Sequence, residues 1–328
     1  MANRLKVTRR DIVSGLSATA TAEVLVGCAG TRFFGKETND SEMKTIVLSS
    51  GDMSLGLSPR NGGSISHLMW RNHDIMRRAP DAMANVTDMA SFPLVPIVNR
   101  IPGGEFSFDG IDIDLEGNFL GLPDFIHGFG WKGAWSVEAE SETETTLVFK
   151  YEEGREWPWP FEARQTFRLG DASLWQKLSV TNISERPMPA DLGFHPYFPA
   201  SEATRLYAQY DGYWLNNEFG HAIKRVPGSF RQDFTKGAPV TDTQMTDQTH
   251  YGWTQQAILK EPGRPTIVIT ADKACKNMHI FFPPNGDYVA VEPTIGRGNP
   301  FGVLPKEYET VQPGETLSIW MKVQVSTA

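Results

Sequence analysis

Phe161-Glu162-Ala163-Arg164-Gln165-Thr166-Phe167-Arg168-Leu169 is the stretch on which the fold turns. Phe161, Ala163, Phe167 and Leu169 alternate with Glu162, Arg164, Thr166 and Arg168. That period of two sends successive side chains to opposite faces of a strand, apolar to the core and polar to solvent. The same pattern runs outward from it. Leu317, Ile319, Met321, Val323 and Val325 alternate with mostly polar neighbours, as do Leu147, Phe149 and Tyr151, and Met278, Ile280 and Phe282. Turn signals punctuate these runs: Asn61-Gly62-Gly63, Pro102-Gly103-Gly104, Asp109-Gly110, Pro283-Pro284-Asn285-Gly286 and Gln312-Pro313-Gly314. No long stretch combines helical spacing with caps. Many short strands with Gly/Pro punctuation predict an all-β protein of stacked antiparallel sheets, and no boundary interrupts the pattern, so residues 45–328 read as one domain.

The chain has 328 residues, 40% of them hydrophobic, enough for a substantial core, and no internal apolar run is long enough to span a bilayer. A net charge of −8 argues against a general binder of nucleic-acid phosphates. Aromatic residues make up 11%, nine of them Trp, which suits a large β core and the stacking of sugar faces equally. The start reads as targeting rather than fold. Thr8-Arg9-Arg10-Asp11-Ile12-Val13 resembles a twin-arginine export signal, and a small and apolar stretch follows, broken by Glu23. It ends in Leu25-Val26-Gly27-Cys28, which resembles a bacterial lipobox. Residues 1–28 are therefore expected to be an export signal with Cys28 as lipid acceptor. Residues 29–44 are expected to be a linker, and the mature protein a lipoprotein tethered on the periplasmic side. Cys275 would then be the one cysteine in the folded part, so no intramolecular disulfide and no cysteine zinc cluster is expected.

Four stretches set polar or charged groups among aromatics, Gly and Pro, as binding clefts do. They are Asn99-Arg100, Ile126-His127-Gly128-Phe129, Leu192-Gly193-Phe194-His195-Pro196-Tyr197-Phe198 and Val291-Glu292-Pro293-Thr294. Pro196 steers His195 toward an extended backbone, and Gly128 and Phe129 favour a tight turn after His127. Glu292 shares a strand face with Tyr288 and Ala290 and precedes Pro293, a stiff, partly apolar setting. Together the stretches supply an acid, a base and hydrogen-bond donors, a carbohydrate site in outline.

Taken in order, with Asp109-Gly110, Trp135 and Asn299-Pro300-Phe301, these motifs resemble those of the aldose 1-epimerases, the galactose mutarotase-like proteins. The resemblance covers roughly Thr45 to the C-terminus and is specific for the superfamily, much less so for the sugar. It implies a β-supersandwich of large antiparallel sheets around a sugar cleft. It also implies an isomerase that interconverts the α and β anomers of a hexose or related aldose without a cofactor. The chemistry requires removing the proton of the C1 hydroxyl while protonating the ring oxygen, with the roles reversed on closure. Glu292 matches the family's base and His195 its acid, expected to face one another across the pocket. Arg100, Asn99 and His127 match positions that bind sugar hydroxyls. Asp247 resembles the family's hydroxyl-binding Asp, with Asp211 and Asp242 as competitors because the spacing departs from the sugar-specific mutarotases.

Other features carry blander readings. His67, His73, His221, His250 and His279 occur singly and read as surface or core histidines. A metal site from His127, His195 and Glu292 is conceivable, but ring opening requires none, and no metal is expected. Arg60, Arg71, Arg77 and Arg78 could read a sulfate or phosphate on a sugar, although a solvated face is the commoner meaning. Two other functions fit the same residues: a non-catalytic carbohydrate-binding lipoprotein, and a glycosidase or polysaccharide lyase with Glu292 and Asp247 as its carboxyl pair. The expected partner is a small sugar, with membrane contact only through the lipid, and the expected assembly a monomer or weak dimer.

Overall fold

Strand Phe161–Gly170 turns Phe161, Ala163, Phe167 and Leu169 into the core, as the alternation requires. Gln165 lies on the same buried face, where its Nε2 donates to Gly63 O at 3.0 Å and its Oε1 accepts from Gln176 Nε2 at 2.9 Å. A buried amide is tolerable because its polar atoms are bonded. In this computed structural model, residues 45–81, 84–154, 156–302 and 306–327 are described. The expected export signal, Cys28 and the linker lie outside them.

Three antiparallel sheets make up most of the architecture. A nine-stranded sheet runs in the order Ser136–Glu140, Glu144–Tyr151, Phe161–Gly170, Ser173–Asn182, Thr316–Ser326, Thr266–Ala271, Gln256–Lys260, Arg205–Ala208 and Ala238–Pro239. An eight-stranded sheet runs Ala222–Pro227, Gly212–Asn216, Thr246–Tyr251, Asn277–Phe282, Tyr288–Thr294, Gly193–Phe194 and Pro93–Leu94, with Tyr197–Pro199 also paired to Tyr288–Thr294. Ile46–Ser50, Met53–Ser58, Ser64–Trp70 and His73–Asp74 form a four-stranded sheet. Phe161, Phe167, Leu178 and Met321 of the largest sheet join Met278, Ile280, Phe282 and Val291 of the second in one continuous core. This is the all-β supersandwich that the sequence resemblance implies.

The second sheet positions the site because its central strands are covered on both faces. In Asn277–Phe282, Met278, Ile280 and Phe282 face the core while His279 and Phe281 face a cleft. In Tyr288–Thr294, Val289 and Val291 belong to that core. Tyr288 and Ala290, on the Glu292 face, pack instead into a smaller apolar cluster with Phe92, Trp131 and Tyr197.

Candidate active site

His195 sits at a break in its strand. Gly193 pairs with Thr294 and Tyr197 with Ala290, so both flanks of His195-Pro196 are stitched to the strand that carries Glu292. Proline supplies no N–H for a ladder bond, and the pairing is interrupted there without a change of register. The His195 N–H instead donates to Phe92 O at 3.1 Å. The Phe92 ring stacks on the imidazole at 4.4 Å between centroids. The two residues expected to face one another across a pocket are in fact side by side. His195 Nε2 lies 3.2 Å from Glu292 Oε1, within ion-pair distance but off the line that a hydrogen bond needs. The reason is the shared ladder, which fixes their backbones as near neighbours.

Two neighbouring strands add the rest of the floor. The register sets His279 opposite Glu292 and Thr249 opposite His279. His279 Nε2 lies 3.1 Å from Asp247 Oδ1, and its Nδ1 is 2.8 Å from Thr249 Oγ1. Asp247 is thus the second acid in the cleft. Asp242 caps its own turn through Gln244 N at 3.2 Å, and Asp211 lines a separate hollow with Tyr251 and Lys276. The reading of His279 as an isolated surface or core histidine is overturned by this geometry, since it lines the cleft between two carboxylates.

The walls come from left-handed turns. Asn99 (φ 54°) and His127 (φ 61°) both adopt positive φ, and the His127 N–H donates to Asn99 O at 2.9 Å. Gly128 (φ 72°) follows, where a Cβ would stand 2.2 Å from Val95 O. Only glycine fits such an approach. Arg100 pairs with Ile126, and Arg100 O accepts from Asn299 N at 2.7 Å. The His127 ring meets His195 edge-on at 5.4 Å and Trp131 at 5.5 Å. Asn99, Arg100, His127, His195, Asp247 and Glu292 all line one cleft of about 600 Å³, its open mouth included. Phe92, Phe119, Trp131, Tyr197 and Phe281 supply its apolar walls.

Of the basic cluster, Arg71 pairs with Asp52 at 3.0 Å and Arg78 with Asp74 at 2.9 Å. Arg77 donates to Thr87 O and Met89 O at 2.6 and 2.9 Å and lies over the Tyr197 ring at 4.0 Å. These arginines serve the structure around the cleft rather than one shared anion.

Burial dominates the electrostatics. Glu292 is 2% exposed, and loss of water pushes its carboxyl up to about 8. Burial, helped by the charge of His279, holds the His195 imidazole well below its ordinary 6.5. Burial and the neighbouring cations do the same to His127, which is therefore neutral. His279 moves the other way: burial opposes its charge, but the carboxylates of Glu292 and Asp247 outweigh burial and raise it. Since burial disfavours every charged form of His195 and Glu292, the pair holds a single proton across neutral pH. The arrangement is a buried acid–base pair, flanked by the His279–Asp247 pair, a neutral imidazole and a guanidinium.

Comparison with known proteins places this cleft in context. A family model for aldose 1-epimerase matches residues 44–324. The uncharacterized protein YphB of Escherichia coli (strain K12) is 32% identical over 230 residues, 69% of this chain and 77% of that protein. The crystal structure of a candidate aldose 1-epimerase from Escherichia coli K12 is similar with a TM-score of 0.81 at 28% identity, over 87% of this chain and 99% of that one. A galactose mutarotase-like protein from Clostridium acetobutylicum shares the fold with a TM-score of 0.78 at 19% identity, covering 89% and 98% of the two chains. Galactose 1-epimerase from Lactobacillus acidophilus NCFM shares it with a TM-score of 0.73 at 14%, over 89% and 97%.

Proposed function

The chain belongs to the aldose 1-epimerase family, and from that premise we propose that it interconverts the α and β anomers of an aldose by acid–base ring opening at His195 and Glu292. The observation that carries this reading is the 3.2 Å contact between His195 Nε2 and Glu292 Oε1 on the floor of the cleft. The hydroxyl that must lose a proton and the ring oxygen that must gain one are both bonded to C1. An acid and a base held side by side can therefore reach both at once.

The single proton of the pair accounts for the full cycle. With the proton on His195, Glu292 takes the O1 hydroxyl proton as His195 protonates the ring oxygen, and the C1–O5 bond breaks to give the aldehyde. The proton count of the pair is unchanged, but its proton now sits on Glu292. Rotation about C1–C2 presents the other face of the carbonyl. Closure returns the Glu292 proton to O1 while His195 takes one from O5. Burial favours the neutral form in which Glu292 holds the proton, and His279 beside it lowers the cost of the carboxylate. Arg100, Asn99, the neutral His127 and Asp247 bind the remaining hydroxyls.

The same proposal places the enzyme outside the cytoplasm, tethered through Cys28, on the strength of the Arg9-Arg10 pair and the Leu25–Cys28 motif. The test of the reaction is polarimetry or anomeric-proton NMR on freshly dissolved aldoses. Equilibration faster than the spontaneous rate for at least one sugar is expected. Sugars that bind and yet equilibrate at the spontaneous rate would instead favour a non-catalytic binding lipoprotein.

A further inference from the structure

No step of ring opening uses Arg77, yet it packs directly behind two residues that line the cleft, Thr87 and Tyr197. Its backbone N–H donates to Tyr197 O at 2.8 Å, and the Tyr197 N–H donates in turn to Ala90 O at 2.9 Å. The side chain then bonds the opposite wall. Its Nη2 donates to Thr87 O at 2.6 Å and to Met89 O at 2.9 Å, which holds the turn Val86–Asp88 and the residue that ends it. The guanidinium carbon lies 4.0 Å from the centre of the Tyr197 ring and 4.5 Å from that of Tyr288. Those two rings meet edge to face at 5.5 Å, and Tyr288 opens the strand that carries Glu292. Arg77 thus ties together three pieces: the Thr87 turn, the segment after His195 and the strand of Glu292.

The tie reaches His195. The Tyr197 ring is 4.7 Å from the imidazole, so one ring touches both the imidazole and the guanidinium. Among the described residues no carboxylate lies within ion-pair distance of Arg77, whereas Arg71 and Arg78 each have one. Asp88, in the braced turn, is exposed to solvent. The charge of Arg77 therefore stands unneutralised near His195 and opposes a second proton there. The other groups around the imidazole are Glu292 on the adjoining strand, His279 and Asp247 on the two strands beyond it, His127 on the wall and Tyr197. Of these, His279 acts on the imidazole in the same sense as Arg77, and Asp247 in the opposite one. A lysine at this position would keep the charge, but only a planar guanidinium bonds carbonyls while lying flat against aromatic rings.

From this placement we propose that Arg77 is a positioning residue for the reaction, acting on His195 through Tyr197 and Thr87: it holds the cleft wall around the imidazole and sets a fixed positive charge behind it. The inference rests on the epimerase reading for its kinetic readout but not for its spectroscopic one. The test compares the native chain with Arg77→Lys, which keeps the charge, and with Arg77→Gln and Arg77→Met, which remove it. Arg77→Gln retains an amide donor for the Thr87 and Met89 carbonyls, so the wall keeps a brace without the charge. In both neutral variants the acid limb of kcat should move up by roughly 0.5–1.5 pH units, the worth of one charge an aromatic ring away. The alkaline limb, set by Glu292, should stay at about 8. In Arg77→Lys both limbs should stay in place, while kcat falls about threefold to tenfold as the wall loosens. Ring-proton NMR from roughly pH 4 to 8, with His195→Asn assigning the signal, should show His195 protonating at correspondingly higher pH in the neutral variants. That readout stands even if no sugar is epimerised. A His195 titration unmoved in a folded neutral variant, or moved equally in Arg77→Lys, would overturn the proposal. The NMR shift without catalysis of any aldose would overturn the reaction alone.

Discussion

Replacing Glu292 by Gln should abolish the reaction and, at alkaline pH, make the protein more stable. In the folded chain the Glu292 carboxyl is pushed up to about 8 by burial, against an ordinary value of 4.5. A folded value raised above the unfolded one means that the native state favours the protonated form. The stability this contributes is fully present below 4.5 and is lost as pH rises through 8. A tenfold difference in proton affinity between the folded and unfolded states corresponds to about 1.4 kcal/mol. The native protein therefore forfeits about 5 kcal/mol by roughly pH 9, and about 3 kcal/mol of that between roughly pH 6 and 9. Gln has nearly the same shape and never ionises, so Glu292→Gln escapes the loss. Thermal unfolding of both proteins across this range should show the Tm advantage of the variant growing by roughly 6–10 °C. Anomer interconversion should meanwhile drop about 10²- to 10⁴-fold, the usual value of a positioned acid or base. A Tm difference that stays constant from pH 6 to pH 9 would show that Glu292 is not a desolvated carboxyl and would remove the basis for the one-proton pair.

His195→Asn should lose about 10²- to 10⁴-fold in kcat by polarimetry. In the native protein, kcat should decline above about pH 8, where the pair loses its last proton, and hold to well below pH 6.5, because burial resists a second proton on His195. Arg100→Ala should chiefly raise KM, since a hydroxyl-binding group acts on ground and transition states alike, and steady-state kinetics on any accepted sugar measures it. Mass spectrometry of the membrane fraction should show an acylated Cys28 at the mature N-terminus, and Cys28→Ser should release the protein without altering its Tm. A soluble chain beginning at Met1 or Ala2 would contradict the export reading.

The sheets were legible because alternation is a local property. Phe161, Ala163, Phe167 and Leu169 had to share one face whatever packed against it, and the polar Gln165 on that face is accommodated by Gly63 O and Gln176. The face of Glu292 was legible for the same reason, since Tyr288 and Ala290 do line its side of the strand. Less legible was anything set by register between strands. Nothing local says that His279 stands opposite Glu292, yet the run Met278, Ile280, Phe282 already placed His279 on the face away from the core. Reading that opposite face as a cleft face would have found it. The side-by-side placement of His195 and Glu292 was hidden similarly. It depends on two short strand fragments, separated by Pro196, docking on one partner strand. The roles of Arg71 and Arg77 depend on Asp52 and on the carbonyls of Thr87 and Met89, partners too far along the chain for sequence proximity to reveal.

The two-faced central strands also bear on how such a protein can change over generations. Met278, Ile280 and Val291 answer to the core, while His279, Phe281 and Asp247 answer to whatever occupies the cleft. Because alternate positions face opposite sides of the sheet, a substitution on the cleft face leaves the core between the large sheets untouched. Preference for one sugar over another can therefore drift at the half-buried cleft positions while the main core is kept, and a combinatorial library confined to positions 247 and 281 should consist largely of folded proteins.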